Sequence, residues 1–208
     1  MLFRSLIACL LMVGLSGCTD PKDATEGNFK KSLQAYLDSE YPKCYFMSEM
    51  PKALDTFEGS RTQQRYDAMK QAGLLVSSVK EAEVEGVFLG KQKKSIPVYE
   101  LTEEGKKYFK NDVSKTMNGK SVGGFCGGKA NIVEIVQFTE PADMWGQKLS
   151  EVVYTYTVTD LPEWAKNENI LEQFREIKQD VESTQTPLKD KTALVLTNNG
   201  WTHRKLLQ

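Results

Sequence analysis

The chain has 208 residues, of which 40% are hydrophobic and 26% charged, so it can build a core and long disordered segments are not expected. Its 27 lysines and arginines against 28 aspartates and glutamates give a formal net charge of −1, without the basic excess of proteins that bind nucleic acids or acidic membranes. This size allows one ordinary domain or two small ones, and nucleic acid is not an expected partner.

The first 18 residues have the layout of a signal peptide. Arg4 supplies a short positive region, and an apolar run follows over residues 6–13. That run is too short for the roughly 20 residues needed to span a bilayer. It ends in Leu15-Ser16-Gly17-Cys18, which resembles the lipobox of bacterial lipoproteins: an aliphatic residue, two small residues and the cysteine that is lipidated.

The resemblance implies that Cys18 carries the lipid and becomes the mature N-terminus, with two or three acyl chains that anchor stably where one would not. The body would lie on the periplasmic face of a bacterial membrane. Gram-negative lipoproteins with aspartate directly after the cysteine tend to stay at the inner membrane, and Thr19 here favours the outer one. The alternatives are an ordinary secretory signal, a buried N-terminal helix, or lipidation at Cys9, whose tetrad leaves almost no apolar region before it.

After the signal peptide, composition divides the chain into three parts. Residues 19–27 are polar, with proline and glycine, and predict a flexible tether. Residues 28–118 predict a helical subdomain that opens with an amphipathic helix over 28–38. Gly119–Gly128 contains five glycines and predicts a boundary or a system of tight turns, so that residues 119–208 form a second subdomain.

Residues 60–109 predict a helix ending near Gly73, a hairpin and a further helix beginning at Thr102. The hairpin is expected to consist of Val84–Leu89, a loop over 90–94 and Ile96–Leu101. The Ala-Gly-Leu that ends the first helix and the Leu-Thr-x-x-Gly that opens the last resemble winged-helix domains of bacterial transcription regulators. The resemblance would imply a DNA-binding regulator if the signal peptide were misread, but a lipidated periplasmic protein meets no genome.

Residues 119–208 predict an antiparallel β-β-α-β-β unit with one helix packed on the sheet, which makes the whole chain an α+β protein. Strands are expected over 131–139, 149–160, 193–197 and 201–206, and the last two are joined by Asn198-Asn199-Gly200, residues that tolerate positive φ. Ile170, Phe174, Ile177 and Val181 recur at helical spacing. Their helix is expected to pack on the face of the second strand that carries Val152, Tyr154, Tyr156 and Val158.

Two cysteines remain after cleavage removes Cys9 and lipid occupies Cys18. Cys44 and Cys126 form an even number in an oxidising compartment, which predicts a disulfide; two buried free thiols are the alternative. A metal site is not expected, since one histidine and two distant cysteines make no ligand cluster. No motif indicates a cofactor.

One motif suggests catalysis. Gly119-Lys120-Ser121-Val122-Gly123 matches G-x-S-x-G, and Asp143 or Asp160 followed by His203 completes the chain order of a serine hydrolase. A nucleophile elbow lies between an apolar strand and a helix, whereas a polar stretch precedes Ser121 and glycines follow it. We therefore expect no catalysis, and a periplasmic hydrolase using Ser121 is the alternative.

The resulting prediction is a lipid-anchored protein that acts by binding an envelope protein or a small ligand. A binding protein needs apolar surface that its own core does not use. The predicted contact surface consists of Val87, Leu89, Ile96, Val98 and Trp145.

Overall fold

The computed structural model describes residues 20–54, 58–86, 90–144 and 146–207, with residues 84–86 and 90–92 described by their backbone alone. Its α-helices are α1 Glu26–Glu40, α2 Ser60–Gln71, α3 Glu103–Tyr108, α4 Glu168–Gln173 and α5 Arg175–Glu182. Its strands are β1 Lys43–Ser48, β2 Lys52–Ala53, β3 Leu75–Gly86, β4 Gly90–Leu101, β5 Phe109–Lys115, β6 Ser121–Gly127, β7 Lys129–Phe138, β8 Ala142–Met144, β9 Gln147–Thr159, β10 Leu188–Thr197 and β11 Gly200–His203. Across these ranges, no helix is both long and apolar enough to cross a membrane.

The strands form three antiparallel sheets, which confirms the α+β class. The C-terminal sheet has the order β11-β10-β9-β7, with β8 beside β9. The cysteine sheet, named for Cys44 and Cys126, has the order β1-β6-β5, and the hairpin sheet has the order β2-β4-β3. All pairings between these strands are antiparallel. The predicted hairpin around Asn198-Asn199-Gly200 is present, but its turn has two residues, because Gly200 already pairs with Thr197. Its second strand ends at His203 instead of residue 206, since Arg204–Leu206 form a short 3-10 helix.

The helix that covers the C-terminal sheet is α1, which contradicts the expectation that the helix around residues 170–181 would do so. Phe29 and Leu33 of α1 are fully buried in one cluster with Tyr154 of β9. The expected helix is instead two helices, α4 and α5, broken at Phe174. They contribute to a second cluster, in which they share the core with Val158 near the end of β9 and with α2. The core is therefore divided into two clusters that contact the same face of β9 at different points along the strand, one at Tyr154 and the other at Val158.

The N-terminal segment ahead of α1 lies against the C-terminal sheet from Asp20 onward. Trp201 donates a hydrogen bond from Nε1 to the carbonyl oxygens of Lys22 at 3.0 Å and Asp23 at 3.1 Å. Gly200 has φ of +109°, and a Cβ there would lie 2.6 Å from the carbonyl oxygen of Pro21. The described part of the predicted tether is therefore packed against the folded body.

Most of the glycine-rich stretch forms a strand, and the predicted turns are confined to its ends, where Gly119 and Gly128 have positive φ in the connections before and after that strand. Residues 121–127 are β6, the central strand of the cysteine sheet, and β6 pairs with β1 from the N-terminal part of the chain. Close packing explains the glycines. A Cβ on Gly123 would lie 2.3 Å from the ring of Phe109, and one on Gly124 would lie 3.3 Å from Cβ of Cys44.

The predicted hairpin is present but longer than expected. Its strands are 12 residues each, β3 and β4, and they pair in register from Leu75↔Leu101 to Gly86↔Gly90. Residues 90–94, expected as the loop, belong to β4, and β2 adds a third strand through Ala53↔Val98. Lys93 and Lys94 are compatible with a strand because they are exposed, in a part of β4 that pairs with β3 and lies beyond its pairing with β2.

Candidate functional site

A cleft of about 530 Å³ opens between β1, the start of α2 and the junction of α4 and α5. Its volume lies within the range of about 300–1,000 Å³ that is typical of small-molecule sites. The side chains that line it include Phe46, Met47, Arg61, Arg65, Phe174 and Arg175. Three separate stretches of the chain meet here, so the cleft is a product of the tertiary fold.

Three of the chain's five arginines line this cleft. Arg61 and Arg65 are four residues apart on α2, which places their side chains on one face of the helix. Arg175 is the first residue of α5 and comes from the opposite wall. Arginine presents a planar fork of donors that matches carboxylate and phosphate oxygens, so this is a concentration of anion-binding groups.

Arg65 is held in place by aromatic rings. Its Cζ lies 4.4 Å from the ring centroid of Phe174 and 5.8 Å from that of Phe46, within the range of cation–π contacts. Its Nε is buried and has no hydrogen-bond partner among the described residues. Burial, and then the neighbouring Arg61, lower the pKa of Arg65 from its usual value. The guanidinium is thus partly desolvated and oriented, and no carboxylate of the described residues forms a salt bridge with it.

The aromatic wall results from an irregularity in β1. Phe46 has φ of +42°, in the left-handed region that a bulky residue rarely occupies. The pairing of β1 with β6 shifts register at this point, between Tyr45 and Ser48. Shifts of this kind turn a side chain away from the regular alternation and are common beside binding sites. Here Phe46 reaches Phe174, at 5.5 Å between ring centroids, and neighbouring Met47 is 56% exposed.

The cleft carries a local excess of positive charge. Within the described ranges, none of its three arginines forms a salt bridge. One carboxylate, Glu176, also lines it, which leaves two positive charges in excess. That carboxylate lies 3.6 Å from Nζ of Lys43 and is therefore already shared with another cation. Unpaired charge of one sign in a recess attracts ions of the opposite sign.

Behind the cleft, Asp180 of α5 joins that helix to β1. Only 2% of Asp180 is exposed, and its Oδ2 accepts hydrogen bonds from Tyr45 Oη at 2.6 Å and Lys43 Nζ at 3.2 Å. Burial, followed by the hydrogen bond to Asp180, raises the pKa of Tyr45 well above its usual value, so this phenol stays protonated. The interaction holds together the two elements that carry Phe46 and Arg175.

A disulfide lies beside the cleft, on the strand that carries Phe46. Cys44 of β1 is directly opposite Cys126 of β6, their Cα atoms are 4.0 Å apart, and their sulfurs are bonded in the structure. Cys44 is itself one of the lining residues. The two cysteines that were predicted to pair are therefore neighbours, and they connect the strand that bears Phe46 to the centre of its sheet.

The predicted contact surface is only partly described. Ile96 and Val98 lie on β4 and are half-buried. Val87, Leu89 and Trp145, like Cys18, lie outside the described residues. The exposed large apolar side chains described on the same sheet are Val76 and Val79 of β3. The described members of this sheet named here, Ile96, Val98, Val76 and Val79, do not line the arginine cleft.

The residues of the hydrolase alternative are not brought together. Ser121 is exposed at the start of β6, opposite Lys115, so it lies on a strand rather than at a strand-to-helix elbow. His203 is buried in a different sheet, where its ring stacks on Tyr36 and Nε2 lies 2.9 Å from Thr192 Oγ1. Among the described residues, no group of three or more His, Cys, Asp or Glu side chains is placed to hold a metal ion.

The sequence did not predict the cleft, because the positive charge of its arginines is offset by carboxylates elsewhere and the net charge of the whole chain is close to zero. The spacing of Arg61 and Arg65 was the available signal, since few arginines occur and two of them share a helix face. Arg175 is 110 residues further on, and nothing in its own neighbourhood indicates where it packs. In comparisons with known proteins, no family model, curated protein or solved structure matches this chain.

Proposed function

We propose that the chain is a bacterial lipoprotein, anchored through Cys18 on the periplasmic face of a membrane, that binds a small ligand in the arginine cleft without catalysis. The observation that carries the proposal is the cleft itself: a recess of ligand size whose three arginines form no salt bridge with any described residue. Thr19 after the lipidated cysteine favours the outer membrane over the inner one. A partner protein in the envelope is the alternative to a small ligand, with the predicted contact surface as its site.

The proposed anchor would place the binding body close to the bilayer. Asp20, where the described body begins, is the second residue after Cys18. Two residues of extended chain span at most about 7 Å. A lipidated Cys18 would therefore hold the C-terminal sheet, through its contacts with residues 20–23, near the membrane surface.

We also propose that residues 60–109 form a winged-helix-like arrangement with a structural role. The succession of α2, the β3–β4 hairpin and α3 supports it, because this is the order of elements expected from the sequence. Arg61 and Arg65 of α2 contribute to the cleft. Because these two arginines line a recess, their position favours ligand binding over the DNA-binding alternative.

Replacing Cys18 by alanine should abolish lipidation, because the acyl chains would have no thiol to which they can be attached. We expect the variant to keep its signal peptide or to appear in the soluble periplasmic fraction, as measured by fractionation and intact mass. Cys9→Ala is the matched control and should remain lipidated and membrane-bound. A wild-type protein that carries a free Cys18 thiol would contradict the anchor.

Filling the cleft should abolish ligand binding. Thr62 lines the cleft and is half-buried, so Thr62→Trp would place an indole in the recess, whereas Lys70→Trp on the same helix changes an exposed residue as its control. A thermal-shift screen of anionic, neutral and cationic small molecules should find a ligand that raises the melting temperature of the wild type and of Lys70→Trp but not of Thr62→Trp. Mass spectrometry should recover that ligand unchanged. Ligands that act equally on all three proteins would contradict the cleft as the site, and chemical conversion would contradict the non-catalytic role.

A further inference from the structure

We infer that the ligand of the cleft is an amphiphilic anion, with a phosphate- or carboxylate-type head group attached to a flat apolar body. The inference rests on the proposed binding function and specifies its ligand class. It follows from two features that coincide in one recess: guanidinium groups in excess and an aromatic wall beside them. A purely apolar molecule would leave the arginines desolvated without a partner, and a bare inorganic ion would leave the wall unused.

The head group is assigned by the arginines. Arg65 lines the cleft and is oriented by its stacking on Phe174, so its guanidinium is a donor group of fixed orientation. Arg61 and Arg175 are exposed and can close on the same anion from two walls. Charge-assisted bonds from guanidinium to phosphate or carboxylate are among the strongest hydrogen bonds in proteins.

The apolar body is assigned by Phe46 and Met47. Phe46 is half-buried, which leaves part of its surface toward the cleft, and Met47 next to it is one of the more exposed apolar side chains described. Flat rings pack well against aromatic faces, and the flexible thioether of methionine adapts to irregular ligands. The unusual φ of Phe46 would be retained because it keeps the ring on this wall.

The probe for this chemistry is 1-naphthyl phosphate, compared with 1-naphthol, which lacks the anion, and inorganic phosphate, which lacks the rings. Titration calorimetry on the full lipidated protein in non-ionic detergent should show binding of 1-naphthyl phosphate at least about tenfold tighter than either fragment. Equal affinity for 1-naphthol would overturn the anionic part of the inference. Equal affinity for inorganic phosphate would overturn the apolar part.

Variants of the arginines locate the site. Arg61→Gln/Arg175→Gln changes two exposed residues, so the fold should be retained. The double variant should weaken the binding of 1-naphthyl phosphate by about tenfold or more and leave the binding of 1-naphthol unchanged. Arg204→Gln is the matched control, since Arg204 is exposed and lies outside the cleft, and its affinity should equal that of the wild type. Arg65→Lys keeps the charge but loses the planar fork and should also weaken binding. Unchanged affinity in the double variant would overturn the inference, whereas a ligand from the thermal-shift screen that is blocked by Thr62→Trp would still support the proposed function.

Soluble metabolites and anionic lipids can both carry a phosphate- or carboxylate-type head group on an apolar body. A titration in lipid vesicles separates these two sources. The protein is inserted into phosphatidylcholine vesicles with or without phosphatidylglycerol, and 1-naphthyl phosphate is titrated into both. A lower affinity with phosphatidylglycerol, absent in Arg61→Gln/Arg175→Gln, would identify lipid head groups as competitors for the cleft. Equal affinity in both vesicles would assign the cleft to a soluble anion.

Discussion

Replacing Asp180 by alanine is expected to lower the free energy of unfolding by about 3 kcal/mol, the lower end of what is lost when one partner of a buried ion pair is removed. The carboxylate is almost completely buried, and it is the acceptor for both Tyr45 Oη and Lys43 Nζ. Without it, the buried phenol of Tyr45 would have to find another acceptor. Because the side chain of Lys43 is 34% exposed and can turn to solvent, we expect the lower end of the range. Urea denaturation of both proteins measures the difference.

Asp190→Ala is the matched control for Asp180→Ala. Asp190 also accepts a hydrogen bond from a tyrosine, Tyr154, at 3.1 Å, but Asp190 itself is exposed. Its loss should cost about 1 kcal/mol or less, because water can replace the carboxylate. Equal effects of the two substitutions would contradict the role that we assign to burial at Asp180.

The Tyr45–Asp180 contact also predicts how stability depends on pH. Burial, and then the hydrogen bond to Asp180, raise the pKa of Tyr45 above its ordinary value of 10.0. A group whose pKa is higher in the folded protein contributes stability that is fully present below its unfolded pKa. The contribution is lost as the pH rises above about 10, and the loss should be smaller in Tyr45→Phe.

Removing the disulfide with Cys44→Ser/Cys126→Ser is expected to lower the free energy of unfolding by about 2–4 kcal/mol. The two cysteines are separated by 82 residues, so the bond restricts a long loop in the unfolded chain. In the folded protein it links β1 to β6 beside the cleft. The variant should also bind 1-naphthyl phosphate more weakly, because the bond fixes Cys44 only two residues from Phe46 on the same strand.

A reductant provides the control for the disulfide. Dithiothreitol should shift the urea midpoint of the wild type toward that of the double variant, and it should leave the double variant unchanged. Thiol titration of the unfolded wild type, with and without reductant, counts the cysteines that are free. A wild-type midpoint that does not respond to reductant, in a protein whose two thiols titrate only after reduction, would contradict a stabilising bond.

Local pattern was sufficient to predict much of the secondary structure. The apolar spacing of Phe29, Leu33 and Leu37 predicts α1, and the alternation along residues 149–160 predicts β9, because each pattern follows the period of its own backbone. The turn before Gly200 was predicted from residues that tolerate positive φ. The Cys44–Cys126 pair was found by counting cysteines, which requires no knowledge of the fold.

The sequence could not determine which elements pack together. α1 covers the C-terminal sheet, and the helix expected there is broken at Phe174. Each helix packs where its apolar side chains are buried, and the helical spacing alone does not show which of the two hydrophobic clusters that is. The sequence predicts a boundary or turns at Gly123 and Gly124, yet both lie in a central strand, where a Cβ on Gly123 would clash with Phe109 and one on Gly124 would be in tight contact with Cys44. That requirement arises from residues more than ten positions away and leaves no local signal.

The arginine cleft illustrates the same limit for function. The sequence by itself determined the α+β class and the near-neutral charge of the whole chain, and it predicts a signal peptide. Only the tertiary structure brought Arg175 across to Arg61 and Arg65 and turned Phe46 into the same recess. The physical reason is that an electrostatic site depends on distances in space, whereas composition and periodicity report only sums and local order.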